Sequence, residues 1–376
     1  MFAFYGLASN LLDQFLIGGI AEHNIKIGTE GTEQPKFVLA KDANVVGMFA
    51  FPSVNEINLK NMDVSNATSF EKMFEFCISF KNIEDKFSEI KTKIDISTWN
   101  ATSAINFKSM FAYSAFNELK LPEGDKKLQT GDSADMTGMF KYCLCTYEHK
   151  TELSNEKYYY EFDISHLDMS KASSTKQMFF GFNILLQVMG TQGGFNKSEI
   201  VLGAQTMNKC LDMSEMFELT PMGIDISGLS ANSVVNLDKM FAFSGYHYIE
   251  LVKKKNSERL NAVDPASFME GFMKFKTTIK FPKADSTTES PIKPVQGATA
   301  NFMFAGTNMG DLEQDPVKRD YDTWWDKAKE INIAFMDTSK VASMEGLFML
   351  LVCPLDLTSL NISSATNMKF FFTGYG

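Results

Sequence analysis

The sequence predicts an α/β repeat solenoid of about 11 units, each a short parallel β-strand and a short helix, with long loops inserted between them. Three observations carry that expectation. A Met-Phe pair, or a close apolar substitute, recurs along all 376 residues. An alternating apolar triplet precedes each pair after the first. In seven of eleven cases the triplet starts 16 residues before its pair.

The anchor pairs run from Met1-Phe2 through Met48-Phe49, Met73-Phe74, Met110-Phe111, Met139-Phe140, Met178-Phe179, Met216-Phe217 and Met240-Phe241. They continue through Phe272-Met273, Met303-Phe304, Leu347-Phe348 and Phe371-Phe372. The triplets, such as Ile57-Asn58-Leu59, Ile94-Asp95-Ile96 and Leu355-Asp356-Leu357, have the period-2 alternation of a half-buried strand. Their outer apolar residues face a core, as do a slim column six before the anchor (Ala67, Ala104, Ala172) and a larger one three before it (Phe70, Phe107, Met213). Positions −3, 0 and +1 share one face of a helical turn, so a short inward-facing helix is expected at each anchor. Neither strand nor helix buries its apolar face alone, and stacking neighbours does so.

Ten residues before the anchor, Asp63, Asn100, Asp168, Asp337 and Asn361 are each followed two places later by Ser or Thr. This step suits the bonding of turn amides and the capping of the following helix, in preference to a calcium ladder. The middle strand residues point outward, and Asp95, Lys120 and Asp163 should alternate in charge on adjacent strands.

A net charge of −10 disfavours nucleic acid as a partner. No apolar run approaches membrane-spanning length. Cys77 and Cys143 lie four past their anchors and read as buried thiols; Cys145, Cys210 and Cys353 lack metal-ligand spacing, and the four histidines have no partner motif. Nothing points to catalytic residues, a metal site or a cofactor, so an enzyme is not expected.

The stretch NLKNMDVSNATSFEKMFEFC (58–77), echoed by LDMSKASSTKQMFFGF and LNISSATNMKFFF, resembles BspA-type leucine-rich repeats of bacterial and mycoplasma surface proteins. The resemblance implies a right-handed leucine-rich-repeat-like stack, extracellular or on the cell surface. It implies adhesion to, or interaction with, proteins or glycans of host or neighbouring cells. The alternative is a structural subunit of an extracellular filament or sheath, joined end to end to further copies of itself. Residues 1–376 are expected to form one continuous solenoid and, because both termini are anchor layers, a fragment of a longer chain. Two inserted loops carry candidate partner-binding aromatics: Tyr158, Tyr159 and Tyr160 in one, Trp324 and Trp325 in the other.

Overall fold

A strand of two or three residues cannot be stable by itself, and in this protein each is held by its neighbour in the next repeat. The computed structural model describes residues 24–27, 37–41, 43–50, 54–77, 92–123, 126–145, 161–184, 199–244, 277–283, 290–307, 309, 329–351 and 353–375. Within them, one principal strand opens each repeat. These are β1 (Asn24–Lys26), β2 (Glu56–Asn58), β3 (Lys93–Asp95), β4 (Glu118–Lys120) and β5 (Glu161–Asp163). They continue as β6 (Glu199–Val201), β7 (Gly223–Asp225), β8 (Ile279–Lys280), β9 (Ile331–Asn332) and β10 (Leu355–Asp356).

All pairings are parallel and follow chain order: β1–β2–β3–β4, then β5–β6–β7–β8, then β9–β10. Register keeps like on like, with Ile25, Ile57, Ile94 and Leu119 opposite one another in the first sheet. Phe162, Ile200, Ile224 and Ile279 do the same in the second. The fold is thus a repeat built mostly of short parallel strands.

The helical half of the expectation is overturned: no anchor among the described residues forms an α-helix. The anchor is a run of turns whose backbone donors alternate in direction. In the second repeat, Phe70, Lys72, Phe74 and Phe76 donate sideways to Asn106, Lys108, Met110 and Ala112 of the third, at 2.7–3.0 Å. Between them, Met73, Glu75 and Cys77 donate back three residues to Phe70, Lys72 and Phe74, at 3.0–3.1 Å. A helix would spend every N–H inside its own segment and leave none for the next repeat. The turns require positive φ just before the anchor and three after it. Lys72 (56°), Phe76 (54°), Ser109 (53°) and Tyr113 (60°) adopt it, as do Gly138 and Gly181.

With the turns in place, positions 0 and +1 are both buried in the repeats anchored at Met73 through Leu347, although adjacent in sequence. The +1 phenylalanines form one file: Phe49, Phe74, Phe111, Phe140, Phe179, Phe217, Phe241, Phe304, Phe348 and Phe372. Successive rings lie 5.1–5.9 Å apart and within 16° of parallel. Stacked aromatic pairs contribute roughly 0.5–1.5 kcal/mol beyond their burial. Phe241 stacks directly on Phe304, and Ile224 pairs directly with Ile279, so no repeat intervenes there. The anchors Met1-Phe2 and Phe272-Met273 and the triplet at 249–251 lie outside the described residues, which show ten repeats where about 11 were expected.

Polar side chains at the corners serve the backbone. Asp63, Asn100, Asp168, Asp337 and Asn361 each accept from the amide two residues on, at 2.9–3.2 Å. A further row does the same after the strands, with Asp95, Asp163, Asp225 and Asp356 accepting from Ser97, Ser165, Ser227 and Thr358. The turn-bonding role holds; no α-helix follows these corners, and of these residues only Asp337 caps a three-residue 3-10 turn. Four past the anchor, Ser114, Thr220, Ser244 and Thr307 are buried and donate to the +1 carbonyl of the preceding repeat: Phe74, Phe179, Phe217 and Phe241. All five cysteines are buried thiols, and burial pushes Cys77 up to about 12.

Two outcomes test this packing. Phe179→Ala removes a fully buried ring from mid-file and should cost about 3–5 kcal/mol in denaturant unfolding. Lys72→Gly relieves a left-handed residue whose side chain is exposed, and should raise stability by up to about 1 kcal/mol in the same assay.

Candidate functional site

Within the two four-stranded sheets, a principal strand hands one backbone bond to its partner in the next repeat at its exit. Leu59 donates to Asp95, Ile96 to Lys120, Ile164 to Val201, Leu202 to Asp225 and Ile226 to Lys280, all at 3.0–3.1 Å. The bond due between Leu121 N–H and Asp163 C=O is not made, because β4 and β5 do not pair. The expected charge alternation stops there too. Asp95 faces Lys120 in register, but Asp163 is not on an adjacent strand. Lys120 instead meets Glu118 at 3.4 Å within its own strand, and Asp95 meets Lys60 at 3.2 Å.

The repeats on either side of this gap remain joined elsewhere. On one side Leu128 N donates to His166 O at 2.7 Å and Asp168 N to Leu128 O at 3.0 Å. On the other, the Asn183 side chain takes the place of a strand: its Oδ1 accepts from Cys145 N at 2.7 Å and its Nδ2 donates to Cys145 O at 3.4 Å. Between these clasps lies a cleft of about 230 Å³. Leu119, Leu121, Cys145 and Phe162 give it apolar walls; Glu118, Lys120, Glu123, Glu161, Asp163 and His166 complete the lining. Glu118 is held by Lys93 at 3.1 Å as well as by Lys120. That same Glu118 charge holds the Lys120 ammonium above its ordinary range. His166 Nδ1 lies 3.3 Å from Lys126 O. No group of three or more His, Cys, Asp or Glu side chains among the described residues is placed to hold a metal ion.

The stack breaks a second time between β8 and β9, and there it is filled. Phe281 and Phe335 stack across it at 4.5 Å. Met309 is bridged to Thr277 and accepts from Lys329 at 3.4 Å.

Tyr158, Tyr159, Tyr160, Trp324 and Trp325 lie outside the described residues. Their places in the chain are informative nonetheless. Residues 146–160 join Cys145 to Glu161, both on the cleft wall, and residues 310–328 join Met309 to Lys329 at the second break. Sequence reasoning missed the cleft residues themselves. The usable signal was that the fourth repeat carries surplus length both after its strand and after its anchor.

A second polar cluster sits on the anchor turns. Lys141 Nζ meets Gln177 Oε1 at 2.7 Å and lies 4.9 Å over the Phe180 ring, while Gln177 Nε2 meets Glu215 Oε2 at 2.5 Å. Beside them Glu218 is buried, and its Oε2 has no hydrogen-bond partner among the described residues. Burial pushes the Glu218 carboxyl up to about 7, opposed by Lys239 and Lys141 and reinforced by Glu215.

These features define a stacked repeat protein whose corner side chains serve the backbone and whose sheet opens at a lined cleft between β4 and β5. The chain belongs to the family described as Mycoplasma protein of unknown function, DUF285, which matches residues 36–88, 81–190 and 319–375, together more than half of its length. No curated protein and no solved structure matches it.

Glu218 gives a signed pH prediction. Its folded pKa lies above the ordinary carboxylate value, so the folded state keeps a proton that the unfolded chain has lost between about pH 4.5 and 7. Its contribution should therefore fall as pH rises through that window. Glu218→Gln should be more stable than the parent at pH 8, by up to about 3 kcal/mol, with the difference vanishing near pH 4.5 in paired denaturation curves.

Proposed function

We propose that the chain is a non-enzymatic repeat protein, a right-handed solenoid of the leucine-rich, BspA-like kind, displayed on the cell surface or secreted. It works by adhesion, holding proteins or glycans of host or neighbouring cells. One observation carries this reading: both sheet breaks coincide with inserted segments bearing clustered aromatics, 146–160 and 310–328, while the stack between them is occupied with its own packing. Clustered Tyr and Trp on connecting segments are the residue types that anchor interfaces. The alternating lateral bonds and uniform register support the solenoid, and membership of a Mycoplasma family supports a bacterial source.

Cell adhesion of the purified protein tests it. Replacing Tyr158, Tyr159 and Tyr160 by Ser, together with Trp324 and Trp325, should lower bead adhesion to cultured epithelial cells at least fivefold while leaving the circular dichroism and melting temperature unchanged. Equal adhesion of parent and variant would count against the reading.

A second reading, a filament subunit, is favoured by apolar residues left open on the outermost described repeats. Phe37 and Val38 of the first are 48% and 57% exposed, and Phe370 and Phe372 of the last are 58% and 48% exposed. End-to-end stacking would cover them. Sedimentation showing concentration-dependent linear assembly, abolished by Phe370→Glu with Phe372→Glu, is its expected result; a strictly monomeric mass excludes it.

A further inference from the structure

We infer that the cleft between β4 and β5 receives an extended polypeptide segment bearing lysine or arginine, which joins the two sheets as an inserted strand. The inference deepens the adhesion reading and rests on it, since it names the class of partner held.

Three features of the cleft fit that occupant. The first is the open ladder. Among the described residues, Leu121, 9% exposed, has no partner for its N–H, and no N–H is bonded to Asp163 C=O. Lys120 O accepts from Ile96 on the far side, so the Leu121 N–H of the same peptide points toward the cleft. Ile164 N donates away to Val201, so Asp163 C=O of that peptide points back toward it. A buried N–H without a partner costs about 1–3 kcal/mol, and an inserted backbone supplies both missing partners.

The second feature is length. A principal strand in this stack spans two or three residues, so the ligand need supply only a short extended segment between the Leu128–His166 and Asn183–Cys145 clasps. The third is charge. Four carboxylates face one lysine and one histidine, and the lysine and Lys93 are both engaged with Glu118, so Glu123, Glu161 and Asp163 form no ion pair among the described residues. Apolar Leu119 and Phe162 lie on the two flanking strands, so an alternating apolar–basic sequence matches the pleat.

The probe is a fluorescein-labelled Val-Lys-Val-Lys-Val amide, titrated by anisotropy against the intact protein. Its controls are a copy N-methylated at alternate amides and a Val-Glu-Val-Glu-Val copy. Saturable binding of the parent peptide is expected, at least tenfold weaker for both controls and for Leu121→Pro, whose folding is checked by circular dichroism. Glu123→Lys with Glu161→Lys, which keeps every backbone donor, should also weaken it at least tenfold. Hydrogen exchange at Leu121 should be fast in the free protein and slow when the peptide is bound.

Equal binding of the N-methylated copy would reduce the contact to surface charge and overturn the inference. So would absence of binding, or a Leu121 amide already protected without peptide, which would mean that the protein's own chain fills the gap. If cell adhesion persists while peptide binding fails, strand insertion falls and the adhesion reading stands. If adhesion fails as well, both fall.

Discussion

The whole structure depends on the lateral hydrogen bond between one repeat and the next. Parallel backbones held this way lie about 4.8 Å apart, and that pitch decides what else fits. Phenylalanine rings stack at 5.1–5.9 Å, close enough to the pitch for one ring per repeat to run unbroken from Phe49 to Phe372. The same demand selects turns at the anchor, since only a segment that turns every second N–H outward can reach its neighbour. Short Asp, Asn, Ser and Thr side chains then hold the corners, because they bond locally and leave the lateral groups unspent.

The repeat, its strands and its buried columns were legible in the sequence because burial leaves a chemical trace. Ile57, Leu59, Ala67, Phe70, Met73 and Phe74 are all fully buried, as their spacing required. The helix was misread for a reason of periodicity. Positions −3, 0 and +1 lie on one side of a helical turn, and they also lie on one side of two consecutive turns with a left-handed residue between them. An apolar pattern cannot distinguish these; the sign of φ at Lys72 or Ser109 does, and non-glycine residues do not announce it.

The cleft was written in lengths more than in residue types. Single insertions, such as 78–91 after the Met73-Phe74 anchor or 185–198 after Met178-Phe179, leave the adjoining strands paired. Both places where the sheet parts follow a repeat with surplus length on either side of its anchor, the fourth and the eighth. In those repeats the exit of one strand and the start of the next are each reached through a segment of non-standard length, so neither end imposes register on the other. The outcome then rests on local chemistry: Phe281 and Phe335 close one opening, whereas Asn183 and acidic neighbours leave the other accessible.

The left-handed residues flanking each anchor carry a consequence for how such chains diversify. At the positions one before and three after the anchor stand Lys, Ser, Gln, Glu, Phe, Tyr, Leu and Gly, but never Val, Ile or Thr. A branched Cβ is the one substituent that this backbone shape resists. Charge, size and aromaticity can therefore be rewritten along that rim while a stereochemical filter stays fixed, and a missing class of amino acid marks the repeat even where its Met-Phe signature has drifted.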